Sequence, residues 1–262
     1  MKRILLLLGL SLFAAAAHAA VQGKDVSYEA DGVKLKGYLA WDDAAKTPHP
    51  GVLVVHEWWG LNAYARKRAR MLAARGYTAL ALDMYGNGRQ ARHPDDAQKF
   101  SSAVMKNEAA ARARFEAALD LLKRQPGVDP QRIGAVGYCF GGGVVLNMAR
   151  IGEPLKVVES FHGPLATDHP AEKGKVQARI ASFTGEADPF IPAKQVAAFR
   201  EEMQAADVKA LIVTYPGAEH SFTNPGATRY GKEFNLPLAY NAKADKDSWK
   251  QGMAFMAQAF KQ

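Results

Sequence analysis

Apolar positions along the chain follow two patterns in succession. From 24 to 40 they alternate with polar ones (Val26, Tyr28; Val33, Leu35, Gly37, Leu39) around Asp31-Gly32. That predicts a hairpin at the edge of a sheet. Beyond it, short and nearly continuous apolar runs predict buried strands over 51–55, 77–82, 132–137, 156–161, 179–183 and 209–215. Helical periodicity fills the gaps over 62–75 (ended by Gly76), 140–150, 192–206 and 247–260. The alanine-rich stretch 94–123 is also helical and is expected to break near its middle. Continuous apolar strands separated by helices imply a doubly wound, mostly parallel sheet with helices on both faces. No Pro-, Gly- or Ser-rich linker divides 20–262, which reads as a single domain. Ligands of such sheets sit at the carboxyl ends of the strands, so the segments that follow strands carry the candidate chemistry.

The first nineteen residues have a different pattern. Lys2 and Arg3 precede a short apolar core from Ile4 to Phe13, and Ala17-His18-Ala19 has the small-x-small form of a cleavage site. This is the pattern of a signal peptide, and it implies a periplasmic or secreted protein with no membrane attachment after cleavage. The net charge is +8, or +6 without Lys2 and Arg3. The densest basic cluster, Arg66-Lys67-Arg68 with Arg70 and Arg75, lies on a predicted helix and reads as a solvated face. No nucleic-acid motif accompanies it. A monomer acting on a small molecule is the expectation.

The chain holds a single cysteine. In an oxidising compartment it has no partner in its own chain, so it is inert and buried, intermolecular, or reactive. Its neighbours favour reactivity. Gly137-Tyr138-Cys139-Phe140-Gly141-Gly142-Gly143 follows a predicted strand and opens a predicted helix. Gly-x-nucleophile-x-Gly in that setting is the nucleophile elbow of the α/β-hydrolase fold. The tight turn needs glycine on either side, and the helix start directs N–H groups and a positive dipole end at the thiol. In that fold an acid and then a histidine follow the nucleophile. Asp188, in the loop after the strand at 179–183, suits the acid, with Glu186 as its neighbour and rival. His220, after the strand at 209–215, suits the base. His162 also follows a strand but precedes Asp188, out of order.

With these residues the chain resembles the dienelactone hydrolase family (carboxymethylenebutenolidase-like), over nearly all of its length after the leader. His56-Glu57-Trp58-Trp59-Gly60-Leu61-Asn62, Asp83-Met84-Tyr85 and His220-Ser221-Phe222 look like family segments. The resemblance implies that Glu57 helps control ionisation of Cys139. It further implies that the backbone N–H groups of Trp58 and Phe140 form an oxyanion hole, that Tyr85 lines the pocket, and that Arg89 supplies one substrate-gripping arginine. A second family arginine, shortly after the histidine, is absent from His220-Ser221-Phe222-Thr223-Asn224-Pro225. The expected activity is hydrolysis of a small ester or enol-lactone through an acyl-enzyme on Cys139, with His220 and Asp188 as partners. A general carboxylesterase or thioesterase and a non-catalytic thiol-bearing binding protein are the alternatives. No step calls for a cofactor or metal, and His56, Glu57 and His220 lack the spacing of a metal-ligand set.

Overall fold

A computed structural model describes residues 21–261; the expected signal peptide lies outside them. Eight strands form one sheet: β1 (Val21–Ala30), β2 (Val33–Asp42), β3 (His49–Val55), β4 (Thr78–Leu82), β5 (Val128–Tyr138), β6 (Val157–Phe161), β7 (Arg179–Gly185) and β8 (Ala210–Tyr215). Their order across the sheet is β1-β2-β4-β3-β5-β6-β7-β8. The β1–β2 hairpin turns at Asp31-Gly32, and β2 joins β4 antiparallel. All other pairings are parallel.

The described residues also form seven helices: α1 (Ala63–Ala73), α2 (Pro94–Met105), α3 (Glu108–Lys123), α4 (Phe140–Arg150), α5 (Ala193–Ala205), α6 (Ala227–Phe234) and α7 (Ala242–Ala259). In β3, Leu53 and Val55 join the core under α2, α3, α4 and α5, while Val52 and Val54 join the core under α1 and α7. Burial on both faces is why this strand reads as an unbroken apolar run.

The expected break in 94–123 falls at Lys106-Asn107. There α2 ends and the Asn107 side chain accepts the Ala110 N–H to start α3. Two features differ from expectation. Helix α6 has no predicted counterpart, and α7 begins at Ala242, where Asn241 accepts the Ala244 N–H as its N-cap. The chain winds from β3 outward to β4 and returns past β3 to β5. The carboxyl ends of β3 and β5 therefore flank the switch point at which such sheets bind ligands.

One strand residue contradicts the apolar rule. Glu159 in β6 is fully buried under α7, and neither of its carboxylate oxygens has a hydrogen-bond partner. Glycine at 252 makes room for it, since a Cβ there would lie 2.7 Å from Glu159 Oε2. Burial alone carries this carboxyl from the ordinary 4.5 up to about 8. Below the ordinary value both folded and unfolded chains hold the proton. Above it the unfolded chain releases the proton while the folded one keeps it until about 8, so stability falls across that window and then levels off. Thermal melts between about pH 5 and about pH 9 are expected to show a decline on the order of several °C that Glu159→Gln largely abolishes. A Glu159→Gln melt with the same pH slope as wild type would refute this.

Candidate active site

At the end of β5 the backbone turns sharply. Cys139 takes φ 52° and ψ −122°, a region costly for any residue with a side chain, and α4 starts at the next residue. The flanking glycines are dictated by contact. A Cβ at Gly137 would lie 2.0 Å from Gly141 O, and one at Gly141 would lie 2.4 Å from Val55 O. The Cys139 N–H continues the β5–β6 ladder by donating to Phe161 O at 3.0 Å.

The sulfur faces His220. Cys139 Sγ is 3.1 Å from His220 Nε2, and His220 Nδ1 is 2.7 Å from Asp188 Oδ2. The other Asp188 oxygen accepts the Phe190 N–H, which fixes the carboxylate in its loop after β7. Glu186, the rival acid, is exposed and accepts the Thr214 hydroxyl, away from the histidine. Burial opposes charge on the His220 imidazole, but the Cys139 sulfur and Asp188 outweigh it and push the ring up to about 10. The imidazolium is thus the favoured form at neutral pH.

His162 occupies a different place from that of a general base. Its Nδ1 accepts the Cys139 N–H at 3.1 Å, so its own proton is on Nε2, which donates to Thr223 Oγ1 at 2.7 Å. Thr223 Oγ1 meets Tyr64 Oη at 2.6 Å, and Arg68 joins Tyr64 Oη to Thr223 O and Asp245. Burial holds His162 well below the usual histidine range, and the charges of His220 and Arg68 push the same way. It stays neutral and braces the backbone of the elbow. Only its position after a strand marked it in the sequence, and Thr223 carried no mark at all.

Glu57 is buried at the end of β3, and its Oε2 accepts the Asn224 side-chain N–H at 2.5 Å. Burial raises its carboxyl, with Ser221 and Asn224 opposing. The peptides on either side of Trp58 are each held by a side chain. His56 Nδ1 donates to Glu57 O at 2.6 Å, and Tyr85 Oη donates to Trp58 O at 2.8 Å. Among the described residues, neither the Trp58 nor the Phe140 N–H is committed to a protein acceptor.

A cavity of about 440 Å³ opens above Cys139 and His220, walled by Trp58, Met105, Phe140, Phe190, Leu236 and Leu238 among others. Two expected pocket residues are not part of this wall. Tyr85 is 1 % exposed, and its hydroxyl is used by Trp58 O. Arg89 points elsewhere: its guanidinium donates to the Tyr85 and Gly86 carbonyls and lies 5.1 Å over the Phe100 ring.

Because the Cβ at 141 would strike backbone, Gly141→Ala is expected to displace the elbow. It should lower the melting temperature by several °C, in line with a cost of about 2 kcal/mol or more, and abolish the reactivity of Cys139 towards iodoacetamide. Unchanged stability and alkylation rate would refute the contact argument.

The profile of the dienelactone hydrolase family matches residues 35–260. A relative in Aquifex pyrophilus, Protein usf, is 30 % identical over 241 residues, covering 89 % of this chain and 97 % of its own. A dienelactone hydrolase-like promiscuous phosphotriesterase, P91, from metagenomic libraries superposes with a TM-score of 0.84 at 32 % identity, covering 92 % of this chain and 99 % of its own. A structure named m3DLH superposes with a TM-score of 0.85 at 34 % identity and the same coverage. The chain belongs to the dienelactone hydrolase family and is a hydrolase with the α/β-hydrolase fold.

Proposed function

We propose that the chain hydrolyses a small ester or enol-lactone through an acyl-enzyme on Cys139, with His220 as general acid and base and Asp188 as its orienting carboxylate. The observation that carries this reading is the unbroken chain from Sγ through the imidazole to the carboxylate, at 3.1 Å and 2.7 Å, on the floor of a cavity. The thiolate attacks the carbonyl carbon, and the uncommitted N–H groups of Trp58 and Phe140 receive the oxyanion. Collapse breaks the C–O bond, and the departing oxygen takes the proton of the His220 imidazolium. Neutral His220 then activates water, which cleaves the thioester and returns the thiolate. Glu57, within range of the His220 charge, biases where the proton rests.

Thiolate leaves more readily than alkoxide, so acylation proceeds forward only with a good leaving group. This favours aryl and enol esters and enol-lactones over alkyl esters. A broader carboxylesterase or thioesterase activity uses the same groups, and a panel of lactones, aryl esters and thioesters separates them.

Cys139→Ala is expected to lower kcat on p-nitrophenyl esters by about 1,000-fold or more, and iodoacetamide should inactivate the wild type with one equivalent bound. Equal turnover by the Ala variant would sink the proposal. With the imidazolium needed to protonate the leaving group and His220 pushed up to about 10, kcat/KM should hold through neutral pH and fall as pH rises past that value. An alkaline limb near the ordinary histidine value would assign the proton to another state.

A further inference from the structure

The wall of the Cys139 cavity says something about the substrate that the reacting groups do not. Among the described residues that form it, none is a lysine or arginine. Its polar side chains beyond the reacting pair are the indole of Trp58 and, on α2, those of Gln98, Ser101 and Ser102. The three on α2 are already engaged: Gln98 donates to the Ser102 hydroxyl at 2.7 Å, and Ser101 donates to Ala97 O at 2.7 Å. Three arginines of the surrounding elements are already engaged. Arg89 holds the Tyr85 and Gly86 carbonyls, Arg114 donates to Met84 O, and Arg68 is buried against Thr223 O and Asp245. The carboxylates of Asp188 and Glu57 lie on the inner side.

The surface around the mouth points the same way. The described residues expose two large apolar side chains, Met105 at 39 % and Phe190 at 50 %, and both belong to this cavity. Phe190 packs edge-on to the His220 ring, 5.1 Å between centroids. Leu238 is held beside His220 by a bridge between the two backbones. An acyl group entering here exchanges water for Met105, Phe190, Leu236 and Leu238. A carboxylate on that group would lose its hydration with no cation to replace it.

We infer that this site selects esters or lactones whose acyl portion is uncharged and apolar, and rejects those carrying a second carboxylate there. The inference rests on the cysteine-hydrolase reading above. It follows from the wall of the cavity and therefore fails separately from that reading.

The test compares p-nitrophenyl methyl adipate with mono-p-nitrophenyl adipate, which share a leaving group and differ by one methyl group and one charge. Wild type, Cys139→Ala and Met105→Arg are assayed on both. Wild type should favour the neutral ester by roughly 100-fold or more in kcat/KM. Met105→Arg, at an exposed position, should narrow that ratio about tenfold through a gain on the charged ester. Equal or reversed preference, with turnover lost in Cys139→Ala, overturns the substrate class and leaves the cysteine chemistry standing. A preference that Met105→Arg does not move overturns its electrostatic basis. Turnover that persists in Cys139→Ala, or none of either ester by wild type, overturns the cysteine reading and this inference with it.

Discussion

Everything at the site depends on a backbone turn that would not persist by itself. Cys139 is held at positive φ between a strand and a helix. Such a residue costs on the order of 1–3 kcal/mol and survives only where its surroundings over-determine it. Here β3 and β6 flank β5 on either side, the Cys139 N–H is anchored to Phe161 O, and two glycines let the turn close against the β3 backbone. The central parallel sheet fixes the turn. Once Sγ is fixed, the loops after β3, β6, β7 and β8 fall around it in strand order, each contributing what its position allows: Glu57 and Trp58, His162, Asp188, and His220.

Two histidines near that turn carry opposite charge preferences at equal burial. His162 and His220 are both buried, with ring centroids 5.5 Å apart. Burial works against the charged form of each. His220 faces a sulfur and a carboxylate that outweigh it, whereas His162 has no such partner, and burial with the charges of His220 and Arg68 drives it down. The charge of one helps keep the other neutral, and neutrality is what lets His162 accept the Cys139 N–H. The pair thus offers two different things to Cys139: a ring that favours its proton, beside the sulfur, and a neutral ring that supports the backbone.

The strands were legible because double-sided burial writes itself as continuous apolar runs. The Cys139, Asp188 and His220 order was legible because strand ends deliver loops in a fixed sequence. Helix α6 was not. It has eight residues, no side-chain cap at Gly226, and a glycine at 231 required by the approach of Leu238 O, so its amphipathic pattern is only two turns long, even though Asn235 ends it in the left-handed conformation. Tyr85 and Arg89 lie in the expected loop, with their polar ends bonded to its carbonyls and outside the cavity wall. Spacing tells which loop a residue occupies, whereas its direction is settled by which carbonyl needs a donor. Here those carbonyls belong to Trp58, Tyr85 and Gly86.

The missing arginine after His220-Ser221-Phe222 has a physical reason in the same terms. Thr223 and Asn224 are 1 % and 5 % exposed. Thr223 closes the chain that begins at His162, and Asn224 holds Glu57. Within 220–224, His220 therefore meets the sulfur, Thr223 supports the elbow backbone through His162, and Asn224 holds the buried glutamate, with Ser221 at φ 57° to turn the chain between them. An arginine at 223 or 224 would point inward, bury a charge and undo one of these bonds. On the proposed reading, recognition of the acyl group falls to α2, to Phe190 and to the 236–238 segment, whose side chains at the cavity are uncharged. The proposed specificity then rests on residues that carry none of the reacting atoms, and motifs point to the chemistry while only the wall points to the substrate.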